Sequence, residues 1–276
     1  MIIIKQIIMI IFAQISIIGL QMQNTCQISV VILIKNAEKT IEECLESLKA
    51  FNEVIILDNG STDTTVETAI KYSNVKVFSE PIFCGFGKMK NIAVNYATND
   101  WILSIDSDEV LMPETIAEIN AMQLNEKTIV ALSRLNYYGD RCMKCCGWYP
   151  DYVWRIFNRK HTKFNENIVH ESVEIKVDDE KYYIKNALKH YAATNMSSII
   201  DKMNHYTTLS AQEKHKSGKK TSVIAAIFKF IHTFNKDYFF RKGIFYGYKG
   251  FVVSLLNASG AFFRYMKLYE MNKNDK

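Results

Sequence analysis

From Ile28 onward, short runs of apolar residues alternate with stretches of helical period, and this alternation constrains the fold more than any other feature of the sequence. The first run, Ile28–Ile34 (ISVVILI), is continuous and rich in β-branched residues, which is typical of a strand buried on both faces of a parallel sheet. Next in the sequence, Ile41, Leu45 and Leu48 share one face of a predicted helix whose other face is acidic. A strand followed by a helix at this spacing begins a βαβ unit.

The same unit repeats along the first half of the chain. Further strands are predicted at 54–57, 75–78, 101–105 and 128–138, with helices at 65–72, 89–97 and 113–122 and a flexible loop at 85–87. Such alternation builds a parallel sheet with right-handed crossovers. Residues 139–195 break the rhythm with short strand-like pieces at 173–177 and 182–184, and the chain is predicted to be helical from Met196. The expected class is therefore α/β, with a mostly parallel central sheet, flanking helices and a helical C-terminal tail.

Composition excludes two classes of protein. With 276 residues, 48% of them hydrophobic, the chain can bury a substantial core and is not a disordered protein. Its formal net charge of +5 is mild and no nucleic-acid-binding motif accompanies it, so we expect no nucleic acid partner.

The six cysteines do not form the framework of a disulfide-rich domain, so a reducing compartment is the default. Cys142, Cys145 and Cys146 offer half of a zinc site. Because a structural zinc takes four ligands and no second pair lies nearby, incidental thiols are the favoured interpretation.

Both ends of the chain carry apolar stretches. Residues 1–27 are interrupted by Lys5 and Gln14 and lack a small-residue cleavage site; we interpret them as a membrane anchor or a dispensable extension rather than a signal. Residues 243–263 are predicted to be a transmembrane helix, a buried helical pair or an amphipathic segment on the bilayer. Lys249 and Asn257 disfavour a clean span, and flanking Lys and Arg favour anionic headgroups. We therefore expect a 28–195 domain and a 196–276 region in peripheral contact with the cytoplasmic face of the cell membrane.

Polar side chains follow three of the predicted strands where each strand ends. Asn36 follows the first, Asp58 ends the second, and the acidic pair Asp106 and Asp108 follows the fourth. Since ligands of open parallel sheets sit at the carboxyl ends of the strands, we expect these residues to converge on one edge. Two carboxylates one residue apart can share a hard divalent cation and leave positions open for diphosphate oxygens.

On spacing alone, a solvated acidic turn that caps the next helix is the commoner meaning of Asp-x-Asp. The context favours a ligand site instead. Asp58 ends an apolar strand before a Gly-Ser turn, where it can accept hydrogen bonds from a base or ribose, and Asn36 can assist. Asp63, which precedes a helix, is interpreted as an N-cap.

Five motifs in fixed order resemble glycosyltransferase family 2, and the resemblance extends from Ile28 to about Tyr269. The motifs are ISVVILIKNAEKTIEECLESL, VIILDNGSTDTTVETA, GFGKMKNIAVNYATNDWILSIDSDE, GWYPDYVWRIFNR and VHESVEI. Within the family the sequence looks like the WaaE/KdtX-like group, which is linked to glucosyl transfer to the lipopolysaccharide core. The resemblance implies a GT-A nucleotide-diphospho-sugar transferase fold, a nucleotide-sugar donor, a Mn²⁺ or Mg²⁺ cofactor, and inversion at the anomeric carbon.

The resemblance also implies roles for single residues. By this correspondence Asp58 holds the nucleotide, Asp106 lies near the ribose and Asp108 binds the metal. Gly87 and Asn91 belong to a segment that lies along the donor in the family.

An inverting displacement needs a base within hydrogen-bond reach of the acceptor hydroxyl, and a carboxylate is the usual choice in this family. Asp151 and Glu171 are the two candidates. The sequence does not separate them, although Glu171 is slightly favoured because His170 could orient it. Arg155 either pairs with the diphosphate, for which a planar guanidinium is well suited, or forms a salt bridge with a nearby acid.

The sequence thus predicts an enzyme that moves a sugar, glucose from a UDP donor, to a hydroxyl of a lipid-linked envelope saccharide such as lipopolysaccharide core. Transfer to a polyprenyl phosphate or to a peptide would share every donor motif. A non-catalytic nucleotide-sugar-binding scaffold at the membrane is the alternative from another class, and the complete acidic set favours the enzyme over it.

Overall fold

The structure, a computed structural model, describes residues 24–167, 171–193 and 195–275. The first half of the chain forms α1 (Asn24–Gln27), β1 (Ile28–Ile34), α2 (Ile41–Glu46), β2 (Glu53–Asp58), α3 (Thr65–Ala69), β3 (Val75–Ser79), α4 (Phe86–Asn95), β4 (Trp101–Asp106), β5 (Glu109–Leu111) and α5 (Pro113–Ala121). The second half forms β6 (Thr128–Tyr138), β7 (Arg141–Cys142), β8 (Tyr152–Asn158), β9 (Glu180–Ala193), α6 (Met196–Lys216), α7 (Val223–Asn235) and α8 (Gly247–Asn274). A π-helical turn (Lys236–Phe240) and a 3₁₀ turn (Gly243–Tyr246) connect α7 to α8.

The described strands form one mixed sheet in the order β3-β2-β1-β4-β8-β6-β9-β5, with β7 paired to β6. The first four strands in this order are parallel, because a crossover connects each of β1, β2 and β3 to the next strand of the sequence. Strand β8 is antiparallel to β4 and β6, and β5 is antiparallel to β9. The α/β class is confirmed. The strands of the 28–106 segment are parallel, and β6 and β9 form a further parallel pair in the rest of the sheet.

Apolar side chains cover both faces of the parallel strands. On one face Ile41 of α2 packs in a buried cluster with Ile32 of β1. On the other face Met89 of α4 packs in a second cluster with Val31 of the same strand. Alternate residues of β1 thus enter opposite layers, as its unbroken apolar run predicts. The two layers hold the carboxyl ends of the strands at one rigid edge.

Three local predictions are corrected by the structure. The 85–87 segment is not a flexible loop, because α4 begins at Phe86 and includes Gly87 in its first turn. Of the predicted strand at 173–177, the structure shows an isolated bridge between Phe164 and Val173. The piece at 182–184 belongs to the 14-residue strand β9. In each case the boundary depends on contacts between segments that are distant in sequence.

The structure describes the two apolar ends of the chain to different extents. Residues 1–23 of the predicted extension lie outside the described residues, whereas Asn24 of α1 donates hydrogen bonds of 2.7 Å to the carbonyls of Ile119 and Met122. The 243–263 stretch forms the 3₁₀ turn and the first part of α8. In its middle, the Asn257 amide donates to Asp237 at 2.8 Å. Among the described residues, no helix combines the length and the apolarity that crossing a membrane requires.

Glu53, at the start of β2, is a buried carboxylate that joins three segments. It accepts hydrogen bonds from Ser29 and Thr98 and forms a 2.9 Å salt bridge with Lys76. Burial alone would raise the pKa of Glu53, but these partners outweigh burial and lower the pKa to about 2. Its ionised form therefore stabilises the fold above the ordinary glutamate pKa. That contribution is lost as the pH falls toward 2.

We expect Glu53→Gln to lower the free energy of unfolding by roughly 3 kcal/mol at pH 7. The difference from the wild type should shrink as the pH is lowered to about 3, because the unfolded wild type then takes up the proton. Urea unfolding at the two pH values measures both effects. Glu46→Gln, at an exposed carboxylate that pairs with Lys49, is the control and should change stability little. Equal stability of Glu53→Gln and the wild type at pH 7 would contradict the prediction.

Candidate active site

A cavity of about 690 Å³ opens at the carboxyl edge of the parallel strands. The register places Asp58 of β2 opposite Ile34 and Asp106 of β4 opposite Leu33, so the two acids flank β1 at the same edge. The cavity wall includes charged side chains from separate elements of the fold: Lys90, Asp106, Asp108, Arg134, Glu171 and Lys202. The convergence of the strand ends that the sequence predicts is therefore present.

The acidic turn after β4 is held in place by Glu109, whose side chain is fully buried. One carboxylate oxygen of Glu109 accepts the backbone N–H of Asp106 at 2.9 Å. The other lies 2.5 Å from Nη2 of Arg155 and 3.4 Å from Nη1 of Arg134. The hydrogen bond from the Asp106 N–H to this buried, ion-paired carboxylate fixes the start of the acidic turn before any ligand binds.

Asp106 is an ion-paired group rather than a free ligand. Its two oxygens lie 3.0 Å from Lys90 and 2.7 Å from Arg155. Burial raises the pKa of Asp106, but the charges of Arg155 and Lys90 outweigh burial and hold the pKa well below its usual value. The carboxylate is therefore ionised, and it forms ion pairs with Lys90, which lines the cavity, and with Arg155, which does not.

Lys90 links the acidic turn to Glu171, and the sequence reasoning missed it. Its ammonium lies 2.8 Å from Glu171 and the residue is almost fully buried. Burial lowers the pKa of Lys90, but the negative charges of Asp106 and Glu171 outweigh burial and raise it. A signal was present in the sequence, because Lys90 lies on the apolar stripe of its helix together with Met89 and Ala93. A lysine on a buried stripe requires a carboxylate partner.

The carboxylate of Asp108 faces the ring of His190, which is a second site residue that the sequence reasoning missed. Its Oδ1 lies 3.6 Å from Nε2 of His190, and its Oδ2 lies 3.2 Å from Nζ of Lys202. Burial raises the pKa of Asp108, but the hydrogen bond and charge of His190 and the charge of Lys202 lower it overall.

The hydrogen bonds of Asn136 fix the orientation of the His190 ring. The Asn136 amide nitrogen donates to the Trp148 carbonyl and to Asp151, so its oxygen faces Nδ1 of His190 at 2.5 Å. Nδ1 therefore carries a hydrogen toward Asn136, and Nε2 faces the Asp108 carboxylate, to which it donates when protonated and presents a lone pair when not. A carboxylate oxygen and an imidazole lone pair that face each other repel unless a proton or a cation lies between them.

Arg155, expected either at the diphosphate or in a salt bridge, forms the salt bridge. Its guanidinium is 2% exposed and is bonded to Asp106 and Glu109. Burial lowers the pKa of Arg155, and the two carboxylates outweigh burial and raise it further above the ordinary arginine value. This side chain does not line the cavity, and its contact with a diphosphate stays a prediction.

Asp58 and Asn36 shape the two neighbouring strand ends. The Asp58 carboxylate accepts the backbone N–H groups of Gly60 and Ser61 at 3.1–3.2 Å. The Asn36 side-chain oxygen accepts the N–H of Thr62 at 2.8 Å. Contact of these two residues with a nucleotide stays a prediction, because their described bonds are to the turn after β2.

Gly87 and Asn91, expected along the donor, hold the loop that precedes Glu171. The Asn91 amide exchanges two hydrogen bonds with the backbone of Phe164, at 2.9 and 3.0 Å. A Cβ added at Gly87 would lie 1.9 Å from the carbonyl oxygen of Asn165, so only glycine fits. Contact of Gly87 and Asn91 with a donor stays a prediction.

The two candidate bases occupy different places. Glu171 lines the cavity, whereas Asp151 is held behind it by Arg134 at 2.8 Å and by Asn136 at 2.9 Å. Burial raises the pKa of Asp151, but the hydrogen bond and charge of Arg134 outweigh burial and lower it. His170, expected to orient Glu171, lies outside the described residues.

A parallel half-sheet with an acidic turn at its carboxyl edge, joined to a mixed half that carries the opposing polar groups, is the GT-A-like α/β architecture of sugar transferases. The chain belongs to glycosyltransferase family 2, since residues 29–191 match the family model described as "Glycosyl transferase family 2". The predicted fold and the prediction of a glycosyltransferase are thereby confirmed.

Relatives of known sequence match nearly the whole chain. An uncharacterized glycosyltransferase of Rickettsia typhi is 32% identical over 259 residues, which cover 89% of this chain and 88% of the relative. The lipopolysaccharide core biosynthesis glycosyltransferase LpsC of Rhizobium meliloti is 28% identical over 259 residues, covering 88% and 92%. Membership of the WaaE/KdtX-like group stays a prediction.

Among solved structures, TarS of S. aureus in complex with UDP aligns with a TM-score of 0.46 and 18% identity, covering 91% of this chain and 92% of that one. Glucosyl-3-phosphoglycerate synthase of Mycobacterium tuberculosis with Mn²⁺ and UDP-glucose aligns with a TM-score of 0.32 and 26% identity, covering 41% and 44%.

Proposed function

We propose that this glycosyltransferase moves glucose from UDP-glucose, with inversion, to a hydroxyl of a lipid-linked envelope saccharide such as lipopolysaccharide core. It acts at the cytoplasmic face of the cell membrane and uses Mn²⁺ or Mg²⁺. The observation that carries the proposal is the rigid turn of Asp106 and Asp108 at the wall of a cavity that also presents Glu171 and His190. The likeness to LpsC, whose name refers to lipopolysaccharide core biosynthesis, supports the acceptor class.

The residues present fit a divalent cation. Asp108 and His190 present a carboxylate oxygen and an imidazole lone pair to the same point, 3.6 Å apart. Within the described ranges, no three His, Cys, Asp or Glu side chains form a metal-binding group. A two-residue set suits Mg²⁺ or Mn²⁺, because these ions are commonly held by few protein ligands together with the oxygens of a substrate phosphate. When bound, the ion supplies positive charge that neutralises the departing diphosphate.

The chain supplies the remaining charge and the base. Lys202 and Arg134 line the cavity and bring positive charge to the side where a diphosphate would sit. Glu171 accepts the proton of the acceptor hydroxyl while the hydroxyl oxygen forms a bond to the anomeric carbon. The bond from that carbon to the diphosphate breaks on the opposite face, which inverts the configuration. Lys90, whose ammonium lies 2.8 Å from Glu171, orients the Glu171 carboxylate for this step.

We expect Glu171→Gln to lower kcat by about 10²- to 10⁴-fold with little change in donor KM, because it removes the proton acceptor and leaves the donor contacts intact. Asp151→Asn, its matched control behind the cavity wall, should lower kcat by less than about tenfold. Initial rates of sugar transfer at saturating acceptor measure both. The reverse order of the two effects would assign the base to Asp151.

The donor and acceptor are tested separately. Among UDP-, GDP- and dTDP-sugars, UDP-glucose with Mn²⁺ should raise the melting temperature most, because a ligand that binds only the folded state stabilises it by mass action. Mass spectrometry of products from lipopolysaccharide-core, polyprenyl-phosphate and peptide acceptors then identifies the acceptor. A product that lacks core sugar would refute the proposed acceptor. Tight donor binding without turnover on any acceptor would favour a binding scaffold.

A further inference from the structure

Helix α7 carries an apolar stripe on its outward face. Ile224, Ile227, Phe228 and Ile231 recur at helical spacing and are 67%, 46%, 69% and 49% exposed. Ala226 is the buried residue of this helix. A helix of a globular protein normally turns such a stripe toward the core, so this one is oriented the opposite way.

The exposed stripe continues past the end of the helix. Phe240 in the π-helical turn is 83% exposed and Phe245 in the 3₁₀ turn is 76% exposed. We call these six side chains the apolar surface: Ile224, Ile227, Phe228, Ile231, Phe240 and Phe245. Single exposed apolar residues need no explanation, but a series of large ones on adjoining elements marks an interaction surface.

The positive charge of the protein is concentrated in the segment of the chain that carries the apolar surface. Residues 216–249 contain eight Lys or Arg and one acidic residue, whereas the rest of the chain contains 26 basic and 28 acidic residues. The one acid, Asp237, is buried and paired with Arg241 at 3.1 Å. A cavity of about 500 Å³ beside Phe240 is lined by Lys144, Arg241 and Lys242, which suits an anionic headgroup next to an apolar chain.

These observations distinguish between the partners that could cover the apolar surface. A second copy would bring two strongly basic segments together, and like charges across an interface are unfavourable. An anionic bilayer complements both the apolar stripe and the basic border. At 13 residues α7 is about 20 Å long, too short to cross a hydrocarbon core of about 30 Å, so it would lie flat.

We propose that the apolar surface inserts into the headgroup region of an anionic membrane and that the surrounding lysines and arginines bind its headgroups. The inference rests on the membrane association in the proposed function and specifies the surface responsible. The sequence placed this contact on residues 243–263, whereas most of the exposed stripe lies on α7. Because α7 packs on α8, and α8 packs on the helix α6 that carries Lys202, the membrane-facing layer is continuous with the cavity wall.

The test compares full-length proteins in sedimentation with phosphatidylcholine vesicles, with and without phosphatidylglycerol. The wild type should bind the anionic vesicles, and Ile224→Glu/Phe228→Glu should weaken that binding by at least about tenfold. The matched control is Ile70→Glu, because Ile70 is 65% exposed and lies outside the apolar surface; it should change binding less than about twofold. Lys229→Glu/Lys236→Glu should weaken binding to anionic vesicles about fivefold or more per charge.

Fluorescence quenching tests directly whether the apolar surface enters the bilayer. Phe228→Trp should gain fluorescence that brominated lipids quench, whereas Tyr182→Trp should not. Tyr182 is 43% exposed and lies near the first residue of β9. Ala193, at the other end of this strand, is the residue that packs beside α8. Melting curves with and without UDP-glucose confirm that each variant is folded and binds the donor.

Each failure has a different meaning. Failure of the wild type to bind anionic vesicles would refute the proposed membrane association itself. Vesicle binding that survives Ile224→Glu/Phe228→Glu unchanged would overturn the assignment of the apolar surface. Light scattering that shows a wild-type dimer and a monomeric double variant, with vesicle binding unchanged, would assign the surface to a second copy and would also overturn the proposal.

Discussion

An Asp108→Asn protein is expected to fold normally, to bind Mn²⁺ far more weakly than the wild type and to transfer sugar about 10³-fold more slowly. The substitution keeps the size of the side chain and removes the charge that faces Nε2 of His190. The neutral amide is a poor ligand for a hard cation, and the departing diphosphate would lose its counter-charge. Electron paramagnetic resonance of Mn²⁺ and initial transfer rates measure the two losses.

A second variant separates the metal role from a general loss of charge. Asn136→Ala leaves both donor atoms in place and removes the hydrogen bond that fixes the ring of His190. It should weaken Mn²⁺ binding by about 10- to 100-fold. Asp178→Asn, at an exposed salt bridge with Lys127, is the control and should leave metal binding unchanged. Full Mn²⁺ affinity and full activity of Asp108→Asn would refute the metal site.

The largest loss of stability is expected from Arg155→Met, at roughly 3–5 kcal/mol. The variant fills the space of the side chain but leaves Glu109, which is fully buried, and Asp106 without their principal counter-charge. Lys90 and Arg134 still contact these acids. Their charges do not replace the bonds of Arg155 to both carboxylates, at 2.7 and 2.5 Å.

The pH dependence provides an independent check of this cause. In the variant, Asp106 loses the charge and hydrogen bond of Arg155 that hold its pKa down, so its pKa would move upward and protonation would relieve part of the destabilisation as the pH falls. The deficit measured by urea unfolding should therefore be smaller at pH 5 than at pH 8. Adding Glu109→Gln to Arg155→Met should recover part of the stability. Equal stability of Arg155→Met and the wild type, or a deficit that does not change with pH, would contradict this account.

The sequence predicted the parallel part of the fold because that part is encoded locally. The unbroken apolar run of β1 indicates a strand buried on both faces, and the polar residues after each strand indicate the edge where the strands end. Asp58, Asp106 and Asp108 were found by this reasoning, and the structure places them at one edge of the sheet. The family was recognised from the order of the motifs, and its match to residues 29–191 confirms it.

The antiparallel part of the sheet and most of the polar network were not predicted. Lys90, Arg134 and His190 contact acids that are distant in sequence, so no local pattern specifies their partners. For the same reason the sequence left two possibilities open for Arg155 and for the base. Arg155 forms the salt bridge because its guanidinium is buried together with two carboxylates and pairs with them. Of the two candidate bases, Glu171 lines the cavity and Asp151 does not, and the role of Glu171 as the base stays a prediction.

The apolar residues of α7 show the same division between local and tertiary information. Their period indicates a helix with an apolar face, but hydrophobic periodicity states only that a face is apolar and not whether protein, lipid or another chain covers it. By itself the sequence determined the elements, the order of the strand ends and the family, because these depend on neighbouring residues. The tertiary structure decided which charges pair, which carboxylate faces the cavity and which apolar face stays outside, because these depend on distances between segments far apart in the chain.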